Sequence, residues 1–530
     1  MHKLTTLVAT LALSAALAAQ SNTVNGLDGR MTEISSLTVL GSTSTTIGCA
    51  ARNDMCNVGS VNIPWTAAMA ENHPKFGFMV ARELNGRFEQ ISDRSFCKHA
   101  FLTINGTGLC GPCGPGSGSS MGLGCTDVYG VGNNGDRFWL GPADEIDPWL
   151  GTWNHLGSYF DQGFPNVGPP NNADGNRSPI SPTNSVMNRI TIKKADLTDP
   201  TASYYYMIHL IHEGESAANR GDNLMTKKVG FAPSGSSYTT VANVEPPFHG
   251  SILEGWTDAF LNQGRNGQDD GTFFVAAKVT QTAPNNYRYE YAIHNMDNSR
   301  GAAALRIPMC PTAAPTNFFF RDIDDNSLNE WTAAVVGNEI QFTAPANNAL
   351  DWNMIYNFGF DSAASPGTGG LKLDQARIGP GAATLTIGSR LPIGGLSQTP
   401  QLTDLGPGCG SPTTGLSTTG LPTVPNPSMF LVVDSEPSVP IITHFSFGTA
   451  NHPLAPGCTQ YLDPSSTFTM SFNVSTGSGI TLIPLPIPAG TPPFSVNFQV
   501  AQLIPNGPVL ENFGLSNGLQ VASIQVGGCP

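Results

Sequence analysis

Cys110-Gly111-Pro112-Cys113 has the spacing of a thiol–disulfide exchange centre. That chemistry needs a helix opening at the first cysteine, whose N-terminal dipole stabilises the thiolate. The residues that follow, Gly114-Pro115-Gly116-Ser117-Gly118, cannot start one, so the pair reads as structural, in one bridge or in two separate ones. A zinc site shared with Cys97, Cys125 or His99 is the other chemistry such a pair offers, and an even cysteine count in an exported chain weighs against it. Gly118-Ser119-Ser120-Met121-Gly122 spells the nucleophile elbow G-x-S-x-G. An elbow is a strained turn from strand to helix, and neither flank is present here.

His209-Leu210-Ile211-His212-Glu213 has the composition of a zinc-protease motif in the wrong order. The preceding Tyr204-Tyr205-Tyr206-Met207-Ile208 reads as a strand, which would send His209 and His212 to opposite faces. Asp322, Asp324, Asp325, Asn326 and Glu330 form the best set of hard oxygen ligands, and calcium is the cofactor that they suggest. The set departs from an EF-hand, with Ser327 at the glycine position and Ala333 at the bidentate position; its alternative is a solvated Asx-rich turn. A nearby run, Asn266 to Gly271, would add Asp269 and Asp270.

Glu89, Asp127, Asp136, Asp144, Glu145 and Asp147 include enough carboxylates for a glycosidase pair, and Trp139, Trp149, Trp153 and Tyr159 lie near them in sequence. That chemistry needs two carboxyls about 5 to 10 Å apart, a distance no sequence supplies. In a Gly/Pro-rich segment the aromatic residues more naturally form small local cores. No P-loop, no G-x-G-x-x-G after a strand and no C-x-x-C-H is present.

The elements that must position these residues are strands. Gly and Pro together make up 101 of 530 residues, and only 12% are charged, so long Lys/Glu-laced helices, coiled coils and helical solenoids are excluded. A hydrophobic fraction of 40% argues against disorder. The net charge of −14, with Lys and Arg scattered singly, leaves no footprint for nucleic acid. Thr272 to Gln281 and Tyr287 to Asn295 alternate around Pro284-Asn285-Asn286, predicting a hairpin with Tyr287, Tyr289, Tyr291 and Ile293 on its one buried face. Short runs follow at 303–307, 317–321, 331–336, 339–343, 353–361 and 383–389, a spacing that predicts a β-sandwich. Only Ser251 to Gly264, with Leu253, Trp256, Phe260 and Leu261, predicts a helix.

Lys3, the apolar run Leu4 to Leu17 and Ala16-Leu17-Ala18 predict a signal peptide over residues 1–18. No later stretch is long and apolar enough to predict a transmembrane segment. Export makes the ten cysteines candidates for up to five disulfides. Cys49, Cys56, Cys97, Cys110, Cys113 and Cys125 crowd into the N-terminal part, with pairing open, and Cys409 with Cys458 is the most plausible bridge in the tail. A Gly/Pro/Ser/Thr-rich change between Pro400 and Pro427 places a boundary near 403.

Cys56-Asn57-Val58-Gly59, Asn85-Gly86-Arg87-Phe88-Glu89-Gln90-Ile91, Lys98-His99-Ala100-Phe101, Leu123-Gly124-Cys125-Thr126-Asp127-Val128-Tyr129, Tyr289-Glu290-Tyr291-Ala292 and Asn348-Ala349-Leu350-Asp351-Trp352 occur in an order that resembles a large family of planctomycete secreted proteins. The likeness runs from about Cys49 to Asp361. The tail, with Ala455-Pro456-Gly457-Cys458 and Gly514-Leu515-Ser516-Asn517-Gly518-Leu519, is similar to a β-rich module that follows many different secreted proteins of that group. The resemblance implies export and a two-part layout, and it carries over no catalytic residue. A tail recurring behind different partners suits sorting, surface attachment or glycan contact.

The expected molecule is all-β, with antiparallel β-sandwich domains and a disulfide-stapled, loop-rich N-terminal region. Residues 19–403 form the main part, divided into 19–250 and 251–403, and residues 404–530 a small C-terminal sandwich. The expected function is binding or structure in the extracellular space or cell envelope, with a glycan or cell-surface component as partner. A calcium-supported polysaccharide hydrolase or lyase is the first alternative, and a surface adhesion protein anchored by its tail the second.

Overall fold

The structure is a computed structural model, and it describes residues 26–165, 173–243, 245–265, 270–393, 401–488, 491 and 494–525. The signal peptide expected at 1–18, Asp269 and Cys529 lie outside the described residues.

The fold follows from strands whose two faces are both apolar. In Lys75–Leu84, Phe76, Phe78 and Val80 point into one core while Met79 and Ala81 point into another. Ser203–Ile211 does the same, sending Tyr204, Tyr206, Ile208 and Leu210 one way and Tyr205 and Met207 the other. Period-2 alternation separates the two faces of a strand, so a strand apolar on both must lie between layers. These two strands pair antiparallel at the centre of an eight-stranded sheet that also holds Cys97–His99, Leu224–Ser234 and Ser237–Ala242. One face packs on a sheet built around Gly29–Ser42, Thr46–Asn57 and Cys125–Tyr129.

The other face packs on a third sheet, ordered Phe260–Arg265, Thr272–Ala283, Asn286–Asn295, Met354–Ser362 and Thr316–Arg321. That sheet in turn covers a fourth, ordered Thr332–Val336, Glu339–Thr343, Ala302–Pro308, Gly367–Gln375 and Thr384–Leu391. Four sheets are therefore stacked face to face, as two sandwiches that share one seam.

Two sequence expectations are corrected by this stacking. The hairpin buries both faces: Tyr289, Tyr291 and Ile293 enter the core of the second sandwich, while Ala292 enters the seam, where Glu290 and His294 are buried as well. The polar face is tolerated because each charge finds a partner. Glu290 accepts from Arg87 Nε at 3.0 Å, and from Arg288 Nε at 2.6 Å. The helix expected over Ser251–Gly264 is absent. Ser251 caps a single 3-10 turn, Ile252–Gly255, and Phe260–Arg265 pairs with Thr272–Ala283. Leu253 and Trp256 fill the seam from that turn, so the apolar spacing that suggested a helix serves tertiary packing.

Residues 401–525 fold into a separate sandwich. A seven-stranded sheet containing Gln401–Gly406, Pro440–Ser446, Phe494–Gly507 and Gly518–Gln525 faces a three-stranded one of Gly415–Thr418, Phe430–Asp434 and Ile480–Pro484. Leu431, Val433, Ile441, Val500 and Val521 form its core.

Candidate functional site

The cysteine-rich stretch is structural. Cys110 bonds Cys56 and Cys113 bonds Cys125, so the C-x-x-C pair is divided between two bridges and pins the irregular 100–124 segment to the first sheet. Cys409 bonds Cys458 in the tail, with Cα atoms 5.2 Å apart. Cys49 and Cys97, expected in disulfides, are instead free thiols. Each lies inside a strand within a packed core, and burial pushes both up to about 12, which keeps them protonated.

The acidic loop closes on itself. Asp322 accepts from Asp324 N at 3.0 Å and from Asn348 Nδ2 at 2.6 Å, Asp324 from Asn326 N at 2.6 Å and Asn329 Nδ2 at 3.2 Å, and Asn326 from Leu328 N. Asp325 turns away to pair with Lys193 on the neighbouring sandwich. Glu330 is drawn above the usual carboxylate range by burial and by Asp322 and Asp324. This is a ladder of Asx turns, and no cluster of three or more His, Cys, Asp or Glu side chains suited to a metal occurs among the described residues.

Ser120 sits in a two-residue strand against Ile63–Pro64 and has no elbow. His209 is packed inside its strand and held neutral by burial, while His212, just beyond the strand end, lies 3.3 Å from Glu215 and is held above its ordinary value. Of the suggested carboxylates, Glu89 pairs with Arg82 at 3.0 Å, Asp127 accepts from Ile104 N, and Asp136 caps Phe138 N. A Ser–His contact that sequence reasoning missed joins Ser251 Oγ to His294 Nδ1 at 2.9 Å. Both residues are fully buried and His294 is pushed down to about 3, so the pair is a cap and not a nucleophile with its base.

Asp144, Glu145 and Asp147 do meet, in a cleft of about 470 Å³ at the edge of the seam, together with Arg94, Asp351, Trp352 and Arg377. Arg94 contacts Asp144 and donates to Trp352 O at 3.0 Å, and Arg377 contacts Asp351. Burial, with Asp144 adding to it, pushes Glu145 up to about 7; one of its oxygens accepts from Tyr159 N at 2.7 Å and the other is buried without a partner. The expected sugar-stacking aromatics are mostly core: Trp149 and Trp153 are buried, and Trp139 packs against Phe101.

No family model and no curated protein matches the chain. Among solved structures, an Escherichia coli alpha-2-macroglobulin activated by porcine elastase aligns at 10% identity over 95% of this chain and 35% of that one, with a TM-score of 0.15. A Salmonella alpha-2-macroglobulin reacted with methylamine aligns at 8% identity over 94% and 33%, with a TM-score of 0.16. The chain spans about a third of the length of either structure, and TM-scores this low carry no inference about fold or activity.

Proposed function

We propose that this is an exported binding or structural protein of the cell exterior, whose four-sheet body is a rigid platform and whose C-terminal sandwich makes the attachment. The observation that carries the reading is the fate of the ionisable groups. Arg82 with Glu89, Arg87 and Arg288 with Glu290, Arg220 with Asp297, and Arg300 with Asp270 are paired and largely buried, holding sheets and loops together. In this reading the buried pairs hold the layers in one arrangement. The resemblance to secreted proteins and the disulfides Cys56–Cys110, Cys113–Cys125 and Cys409–Cys458 support export.

The tail supports attachment by apolar contact, since Asp404, Asp434, Glu436, Asp463 and Glu511 are its charged side chains and all are acidic. Residues 404–530 contain no Lys or Arg, and the exposed apolar side chains there include Phe447, Phe468, Phe472 and Val474. Fractionation of cells producing the full chain or a chain lacking 404–530 tests the reading. The truncated protein is expected in the medium and the full chain on the cell surface; equal distribution overturns the attachment role.

A second reading, polysaccharide hydrolysis, is favoured by one observation, the elevated Glu145 carboxyl beside Asp144 and Asp351 in the seam cleft. Turnover of a polysaccharide panel abolished by Glu145→Gln would support it, and no turnover by the folded protein returns the cleft to a binding role.

A further inference from the structure

In a protein of net charge −14, Lys98 lies within electrostatic reach of Arg177 and Arg189 within reach of Arg137, with Asp136 near Lys98, Arg177 and Arg189. None of the four has an ion-pair partner among the described residues. Arg189 gives its guanidinium to the carbonyls of Gly135, Leu40 and Ser185, and Arg137 donates to Asn184 O, so both are anchored by neutral acceptors. Asp136 is the carboxylate that acts on Lys98, Arg177 and Arg189 from beyond ion-pair distance, while it caps Phe138 N at 3.1 Å, so one negative charge faces four basic side chains. Residues 166–172, outside the described set, contain no Asp or Glu in their sequence.

Among the described residues, Lys98 and Arg177 are the two of these whose side chains make no hydrogen bond. Lys98 is fully buried on Cys97–His99, its Nζ 3.9 Å from the centre of the Phe101 ring and without a partner. Arg177 lies with its guanidinium 4.2 Å from the centre of the Trp139 ring and 5.8 Å from that of Phe138, and its Nε and Nη2 are likewise buried and unpartnered. The Phe101 and Trp139 rings touch, 5.2 Å apart and edge to face, which brings the two cations together across one aromatic pair. Burial pushes the Lys98 ammonium down to about 7, with Arg177 adding to the shift and Asp136 opposing it, and an oxyanion docked at Arg177 would favour its charged form. Toward solvent the same spot ends in Phe138, which is 47% exposed.

We propose that Arg177, with Lys98 beneath it, binds the carboxylate or sulfate of an acidic sugar whose ring rests against Phe138 and the edge of Trp139. The planar guanidinium fork matches an oxyanion with two donors, and an aromatic face adjoining it suits the apolar face of a pyranose. The inference rests on the binding reading above and names its ligand class; the experiment is made in vitro on the full chain, so its failure is separate from a failure of surface attachment.

The test is titration calorimetry and tryptophan fluorescence with oligogalacturonate, against a neutral cello-oligosaccharide of the same length and sodium sulfate. Saturable binding of oligogalacturonate is expected, weakened at least about tenfold by Arg177→Gln and by Phe138→Ala, and falling with added salt. Phe138→Ala alters an exposed side chain, and an unchanged melting midpoint shows that the fold is intact. Equal binding of the neutral oligosaccharide, or no binding of any anion, overturns the proposal. Binding of sulfate with the same affinity as oligogalacturonate, indifferent to Phe138→Ala, overturns it too, as an adventitious ion only.

Discussion

The side-chain carbonyl of Gln90 accepts the backbone N–H of Ile355 at 2.8 Å, a hydrogen bond between the second and third sheets across 265 positions of sequence. Both residues are buried, and their neighbours repeat the device: Asn353 Nδ2 donates to Phe78 O at 3.0 Å and Asn357 Nδ2 to Phe88 O at 2.8 Å. Side-chain amides thus register the two sandwiches against each other, between the apolar contacts of Met79, Met207, Ala276 and Ala292. Gln90→Leu leaves the Ile355 N–H buried without an acceptor and is expected to cost about 1–3 kcal/mol, read as a lower denaturation midpoint. An unchanged midpoint would show that the seam is held by packing alone.

Asp28 gives the protein a pH dependence of known sign. Burial pushes its carboxyl up to about 7, with Asp222 and Glu215 raising it further, His212 and Arg30 lowering it. A carboxyl whose folded value lies above its unfolded one stabilises the fold when protonated, and that contribution is lost as pH rises from about 4 through 7. Asp28→Asn should therefore be neutral near pH 4 and stabilising at pH 8, by on the order of 1–2 kcal/mol. Chemical denaturation of both proteins at the two pH values measures the difference; a constant offset would remove Asp28 as its source.

Cys49 and Cys97 should behave as hydrophobic side chains. In the native protein, iodoacetamide at pH 8 is expected to leave both unmodified, and in denaturant without reductant both should be alkylated, with mass spectrometry of peptides as the readout. Native labelling of either would place it outside the core assigned here.

Removing the Cys409–Cys458 bridge should loosen the tail selectively. Replacing both cysteines by serine is expected to cost the C-terminal sandwich about 2–4 kcal/mol and to expose 404–525 to protease while the body stays resistant. Equal sensitivity of both parts would mean that they unfold as one unit.

Chelation checks the acidic loop. With its carboxylates engaged by Asn326 N, Asn329, Asn348 and Lys193, EDTA is expected to leave the melting midpoint unchanged. A calcium-dependent rise of several degrees, lost in Asp324→Asn, would make the loop a metal site.

Composition and local alternation, by themselves, determined that this chain is all-β and rich in turns. The strands in 303–361 and the hairpin from Thr272 appear where apolar and polar residues alternate between Gly, Pro, Asn and Asp, because strand formation and turn chemistry are local. The quartet Asp322 to Asn326 was legible as an Asx-rich turn or a calcium loop, and the tertiary structure shows the Asx hydrogen bonds that Asp322 and Asp324 accept.

Tertiary structure decided the rest. Glu290 and His294 look like a solvent face until a second sheet covers them, since burial of a polar residue depends on a partner far away in sequence, here Arg87 and Ser251. Cys49 and Cys97 count toward an even set but never approach another thiol, because strand register and not cysteine number sets which sulfurs meet. The convergence of Lys98 with Arg177, 79 positions apart in sequence, follows from the contact of Phe101 with Trp139, and no local pattern of residues encodes a contact between rings on separate segments.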